Sequence, residues 1–133
     1  MSSRARRIAE KVRRWFPQAD LVDQRIARGR NVAVVRLRFR VGSGALIDIR
    51  EVWRGEELVD YGYQLTIAEY RGGEGAVAYT NILRYNSAPH HPELPTFPHH
   101  RHVEGRVEPL ENPSLEKFLE EARQILERLG KRC

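Results

Sequence analysis

Apolar residues fall at helical spacing in the first stretch of the chain, where Ala5, Ile8, Ala9, Val12, Trp15 and Phe16 share one face. That spacing predicts an amphipathic helix with Ser2 or Ser3 as its N-cap and Pro17 as its stop. From about Asp20 the period changes to two. Between Val32 and Val41, residues Val35, Leu37, Phe39 and Val41 alternate with Arg36, Arg38 and Arg40, the pattern of a half-buried antiparallel strand with arginines on its open side. Further strands are predicted over Ala45 to Arg54, Glu57 to Tyr70 and Gly75 to Tyr85, separated by short glycine-containing breaks that read as hairpin turns. A shorter first strand is expected at Leu21 to Ile26. Near the C-terminus, Leu115, Phe118, Leu119, Ala122, Ile125, Leu126 and Leu129 form an apolar stripe, with Asn112 as cap, Pro113 at the first helical position and Gly130 as the stop. The elements add up to one α+β domain over residues 1–133, an antiparallel meander of four or five strands with a helix at each end.

One segment fits no such period. All five histidines lie between His90 and His102, interleaved with Pro89, Pro92, Pro95 and Pro98. Proline at every third residue is the period of a polyproline II rod, one edge of which would carry His91, Leu94, Phe97 and His100. In such a rod Leu94 and Phe97 would be buried against the sheet, Thr96 would stay exposed, and His90 and His99 would stand roughly 28 Å apart. The chemistry then belongs either to a bent rod or to the compact His99, His100, His102 end.

Composition narrows the classes. The chain has 133 residues, 41% hydrophobic and 31% charged, with a net charge of +5 and a pI of about 9.8. A basic, arginine-rich surface favours polyanionic partners. No apolar run approaches the ~20 residues of a membrane-spanning helix, and the basic start lacks the apolar core of a signal peptide. A cytoplasmic protein with no membrane partner is expected. The lone Cys133 has no partner for an internal disulfide.

Imidazoles move protons near neutral pH, so the histidine segment suits general acid–base chemistry on a phosphodiester. His99, His100 and His102 are the candidates for acid and base, either His99 with His102 along a rod or His100 with His102 if the chain is β-like there. Arg84 and Arg101 are the candidate phosphate clamps. His90, His91, Tyr85, Arg36, Arg38 and Arg40 are candidate binding residues, the tyrosine by stacking on bases. The histidine spacing matches no standard zinc signature, so no metal or other cofactor is expected. Two other readings remain: a binding module with a rigid His/Pro docking loop, and a histidine-ligated metalloenzyme.

The segment Arg84-Tyr85-Asn86-Ser87-Ala88-Pro89-His90-His91-Pro92, with Thr96-Phe97-Pro98-His99-His100-Arg101-His102-Val103 after it, resembles the signature of the TumE-like toxin family of prokaryotic toxin–antitoxin pairs. Ser43-Gly44, Arg50-Glu51 and Tyr61-Gly62-Tyr63 are similar to earlier landmarks of that family. The likeness spans about Val34 to Leu126. It implies a growth-inhibiting toxin, neutralised by a cognate antitoxin and acting on RNA or translation. Asn86 and Ser87 stand where that pattern has Asp and Asn, so a carboxylate at that position is missing here.

Overall fold

A computed structural model describes residues 2–70, 77–89 and 91–130. His90, the segment 71–75 where a hairpin turn is expected, and Cys133 lie outside the described residues. The order of elements is α1 (Ser3–Trp15), β1 (Asp20–Gly29), β2 (Val32–Val41), β3 (Ala45–Arg54), β4 (Glu57–Tyr70), β5 (Val77–Asn86), β6 (His100–Val103), β7 (Arg106–Pro109) and α2 (Leu115–Arg128). The strands form one antiparallel sheet whose spatial order is the chain order, β1 to β7. The meander therefore stands, but with seven strands rather than four or five. The additions are β6 and β7, each of four residues and too short to show an alternation in sequence.

Strand pleating explains the burial. Val35, Leu37, Phe39, Val41, Ile47, Ile49, Tyr63, Leu65, Leu83 and Tyr85 point to one face and are buried there with the apolar stripes of α1 and α2. Phe118 is the centre of that contact, with its ring 5.6 Å from Tyr63 and 5.3 Å, edge-on, from Tyr85. The helices are also tied to each other, by Lys11–Glu116 at 3.2 Å and by Arg123 donating to the Trp15 carbonyl at 2.9 Å. The first helix begins as expected, with the Ser2 hydroxyl accepting from Ala5 N. At the β2–β3 turn Gly44 sits at φ +79°, and a side chain there would press on the Ala68 carbonyl at 3.4 Å.

Two expectations are corrected. The cap of α2 is Ser114, which is extended and accepts from Lys117 N at 3.0 Å, whereas Asn112 lies at φ +49° outside the helix. Pro113 therefore precedes the cap instead of opening the helix. The His/Pro segment is not a rod. It folds through successive four-residue turns, Leu94 N to His91 O, Phe97 N to Leu94 O and His99 N to Thr96 O, and the Phe97–Pro98 bond is cis. Phe97 is exposed and Leu94 only half-buried, while Thr96 is the residue that is tied in, donating to His99 O and accepting from Leu110 N. The reason is competition for the backbone: β6 pairs with β5 and β7, and the turns bring the chain back to reach that position.

Candidate functional site

The helix-free face of the sheet carries the polar residues of the same strands. In register, Arg25 faces Arg36, Arg36 faces Arg50, Arg50 faces Gly62, Gln64 faces Arg84, and Arg84 faces His102. These positions outline a groove of about 490 Å³, lined among others by Arg25, Arg36, Arg38, Arg50, Arg84 and Asn86. Gly62 gives the groove its floor, because a Cβ there would stand 3.5 Å from the Arg50 guanidinium that lies across it.

The groove is not uniformly positive. Arg38 bonds Asp48 at 2.6 Å, which raises the pKa of its guanidinium. Arg50 bonds Asp60 at 2.7 Å, and Ser87 donates to the other Asp60 oxygen at 2.5 Å. Burial works against the Asp60 carboxylate, but those hydrogen bonds outweigh it and hold its pKa below the ordinary value. Among the described residues that line the groove, the arginines Arg36 and Arg84 have no carboxylate partner. The Asp60 contact also bears on the family pattern. Asp60 of β4 places a carboxylate beside Ser87, while Asn86 itself turns its Oδ1 to Ala88 N at 3.0 Å.

At the β6 end three histidines converge. His100 and His102 share one side of β6, the β-like arrangement expected as one of two possibilities, and His91 reaches them from the turn segment. The ring centroids are 4.9 Å apart for His91–His100, 4.9 Å for His100–His102 and 5.8 Å for His91–His102, each pair edge-on. One ring nitrogen from each lies within 4.8 Å of the others, so among the described residues this trio is the set that could hold a metal. His100 is buried, and its Nδ1 donates to the Pro98 carbonyl at 3.0 Å. His91 Nδ1 meets the Glu93 carboxylate at 3.2 Å. The Arg84 guanidinium donates to His102 Nε2 at 3.2 Å, which joins the histidine end to the groove.

The remaining sequence-expected residues lie elsewhere. His99 is on the helix side, where its Nδ1 is 2.8 Å from the Tyr61 hydroxyl and its ring stacks on Tyr61. Arg101 faces α2, bridging Glu121 and Glu108, and Tyr85 is buried with its hydroxyl donating to Glu121. Burial and then Glu121 push the Tyr85 hydroxyl above its usual pKa. Arg36 and Arg38 line the groove, whereas Arg40, on the same face, lies beyond it. The sequence reading missed Arg25, Arg50 and Asp60. Arg50 was legible, because Ile47, Ile49 and Glu51 alternate inward and leave Asp48 and Arg50 on the open side.

A seven-stranded meander with helices on one face, and on the other an arginine-lined groove joined through Arg84 to three imidazoles, defines a single-sheet α+β protein with a cationic open face. The chain matches the family described as Toxin TumE over residues 4–129 and belongs to that family. No curated protein and no solved structure matches it significantly. Membership makes it a toxin-family protein and points to an antitoxin as a partner. No helix among the described residues is long and apolar enough to cross a membrane.

Proposed function

We propose that this toxin acts on RNA, holding the phosphate backbone along the arginine-lined groove and breaking a phosphodiester at the histidine end. The observation that carries this reading is the position of Arg84. It lines the groove and at the same time donates to His102, so a phosphate on its guanidinium lies beside the imidazoles. Cleavage next to a 2′-hydroxyl requires that its proton be removed, that the leaving oxygen be protonated and that charge on the phosphate be stabilised. Arg84 supplies the last of these, and His91, His100 and His102 are the groups at hand for the others. His99 and Arg101, engaged on the helix side with Tyr61, Glu108 and Glu121, take no part. The metal-independent pairing of His99 with His102 therefore gives way to the groove-side trio.

The test is cleavage of single-stranded RNA by the purified chain. Arg84→Gln is expected to slow cleavage by about 10²–10³-fold, the usual loss for one donor to a developing oxyanion. Intact RNA with the wild-type chain, or an undiminished rate in an Arg84→Gln, His102→Ala double variant, would refute the proposal. RNA bound tightly but never cut would make the groove a binding module.

A further inference from the structure

The geometry points to a metal site: we propose that His91, His100 and His102 bind one zinc-class divalent ion, and that binding it releases Arg84 from His102 into the groove. The site stands on its own geometry. Its coupling to phosphate rests on the phosphate-holding groove proposed above; an imidazole bound to the ion does not also serve as acid or base, so the metal-free and metal-bound trio are distinct states of one site.

Three imidazole edges already converge, with one nitrogen from each within 4.8 Å of the others. Tetrahedral zinc with Zn–N bonds of about 2.0–2.1 Å holds its nitrogens roughly 3.3 Å apart, so the trio must close by up to about 1.5 Å. His91 belongs to a turn segment, while His100 and His102 are fixed in β6, so the turn segment makes that adjustment. The tautomers also suit a metal. His100 gives its Nδ1 proton to the Pro98 carbonyl, and His91 Nδ1 faces the Glu93 carboxylate, so in the neutral form of each ring Nε2 carries the lone pair. A ligand histidine commonly has its second nitrogen held by a carbonyl or carboxylate, which fixes the ring and strengthens it as a ligand. Three imidazoles without a thiolate favour zinc, copper or nickel over magnesium or calcium. Three protein ligands leave a coordination position for water or for a phosphate oxygen.

The release of Arg84 follows from valence. In the metal-free arrangement His102 Nε2 accepts from the guanidinium, so its proton is on Nδ1. If the ion binds Nε2, the lone pair that Arg84 used is taken. If it binds Nδ1, the proton moves to Nε2, which then donates. Either way the Arg84 hydrogen bond ends, and a dication beside a guanidinium repels it further. The groove is the cationic side chain's open direction, and an anion bridging the ion and Arg84 relieves the repulsion. Metal and phosphate should therefore bind cooperatively, through Arg84.

The test uses the untagged full chain. Cobalt(II) absorption and zinc calorimetry, without RNA, are expected to show one ion per chain. His91→Ala and His102→Ala should each weaken binding by at least 100-fold, beyond the roughly 10–100-fold loss typical of an outer-shell change. His99→Ala should leave it intact, and Arg84→Gln should tighten it about tenfold by removing the competing bond. Circular dichroism confirms that each variant is folded. No stoichiometric ion, or binding that survives loss of both His91 and His102, overturns the site. A 2′-deoxy oligonucleotide, which cannot be cleaved, should tighten zinc binding in the wild type and not in Arg84→Gln. If the ion binds but this coupling is missing, the release of Arg84 to a phosphate is refuted and the metal site stands alone.

Discussion

Replacing Arg36 by Ala tests whether the open face of the sheet contacts a phosphate backbone. For single-stranded nucleic acid, each neutralised phosphate contributes about −0.7 to the slope of log affinity against log salt. Arg36 and Arg84, the two groove arginines without a carboxylate partner among the described residues, set a lower bound of about −1.4. Arg25, Arg38 and Arg50 are held by Asp23, Asp48 and Asp60 at 3.4, 2.6 and 2.7 Å. Exposed pairs such as Arg25–Asp23 are worth about 0–1 kcal/mol, so phosphates can compete for them, and least readily for the part-buried Arg50. If all five engage, the slope reaches about −3.5. Between 50 and 200 mM salt the wild-type affinity should then fall by about 7-fold at the lower bound and about 130-fold at the upper. Arg36→Ala should reduce the slope by about 0.7, whereas Arg40→Ala, beyond the groove, should leave it unchanged. Fluorescence anisotropy with a labelled single-stranded oligonucleotide measures both. Equal effects of the two substitutions, or an affinity indifferent to salt, would show that the groove is an ordinary solvated surface.

Arg101 should prove structural. Its removal strands Glu121 and Glu108 in a partly buried position, and Arg101→Leu is expected to cost roughly 1–3 kcal/mol in urea unfolding while leaving oligonucleotide affinity unchanged. A stable variant that no longer binds RNA would return Arg101 to the site. Asp60 gives a pH signature with a definite sign. Its native pKa lies below the ordinary carboxylate value, so its stabilising effect is present above about pH 4 and is lost as pH falls through the native value. The stability gap between wild type and Asp60→Asn should therefore shrink on acidification, and a gap that widens toward low pH would contradict the Arg50–Asp60–Ser87 arrangement.

Long periodic elements were legible because burial on one face dictates their pattern. Val35, Leu37, Phe39 and Val41 announce β2, and Leu115 through Leu126 announce α2. Short elements stabilised by neighbours were not legible. His100–Val103 is a strand because β5 and β7 pair with it, and nothing in those four side chains demands it. The proline triplets misled for a related reason, since a rod keeps its period only where no tertiary contact competes. At the site, the shared side of His100 and His102 follows from a two-residue spacing and was foreseeable. That His91 joins them from the turn segment, and that Arg84 lies opposite His102, depends on the fold of the segment and on the β5–β6 register. The helix-side commitments of Tyr85 and Arg101 likewise arise from Glu121, a residue of α2 more than 19 positions away in either case.

Because every strand pairs with its sequence neighbours, the sheet grows in the order in which a ribosome delivers it. Synthesis is N-terminal first, and domains form as their pieces emerge. The arginine-bearing strands β2 and β3 can find their partners early. The imidazoles assemble only after β6 has docked on β5, and the Tyr85–Glu121 contact waits for α2 behind them. A nascent or prematurely released chain thus carries the cationic strands without the three assembled imidazoles. If the imidazoles act as proposed above, activity arrives only with the closing segments of translation, after the cationic strands are already in place.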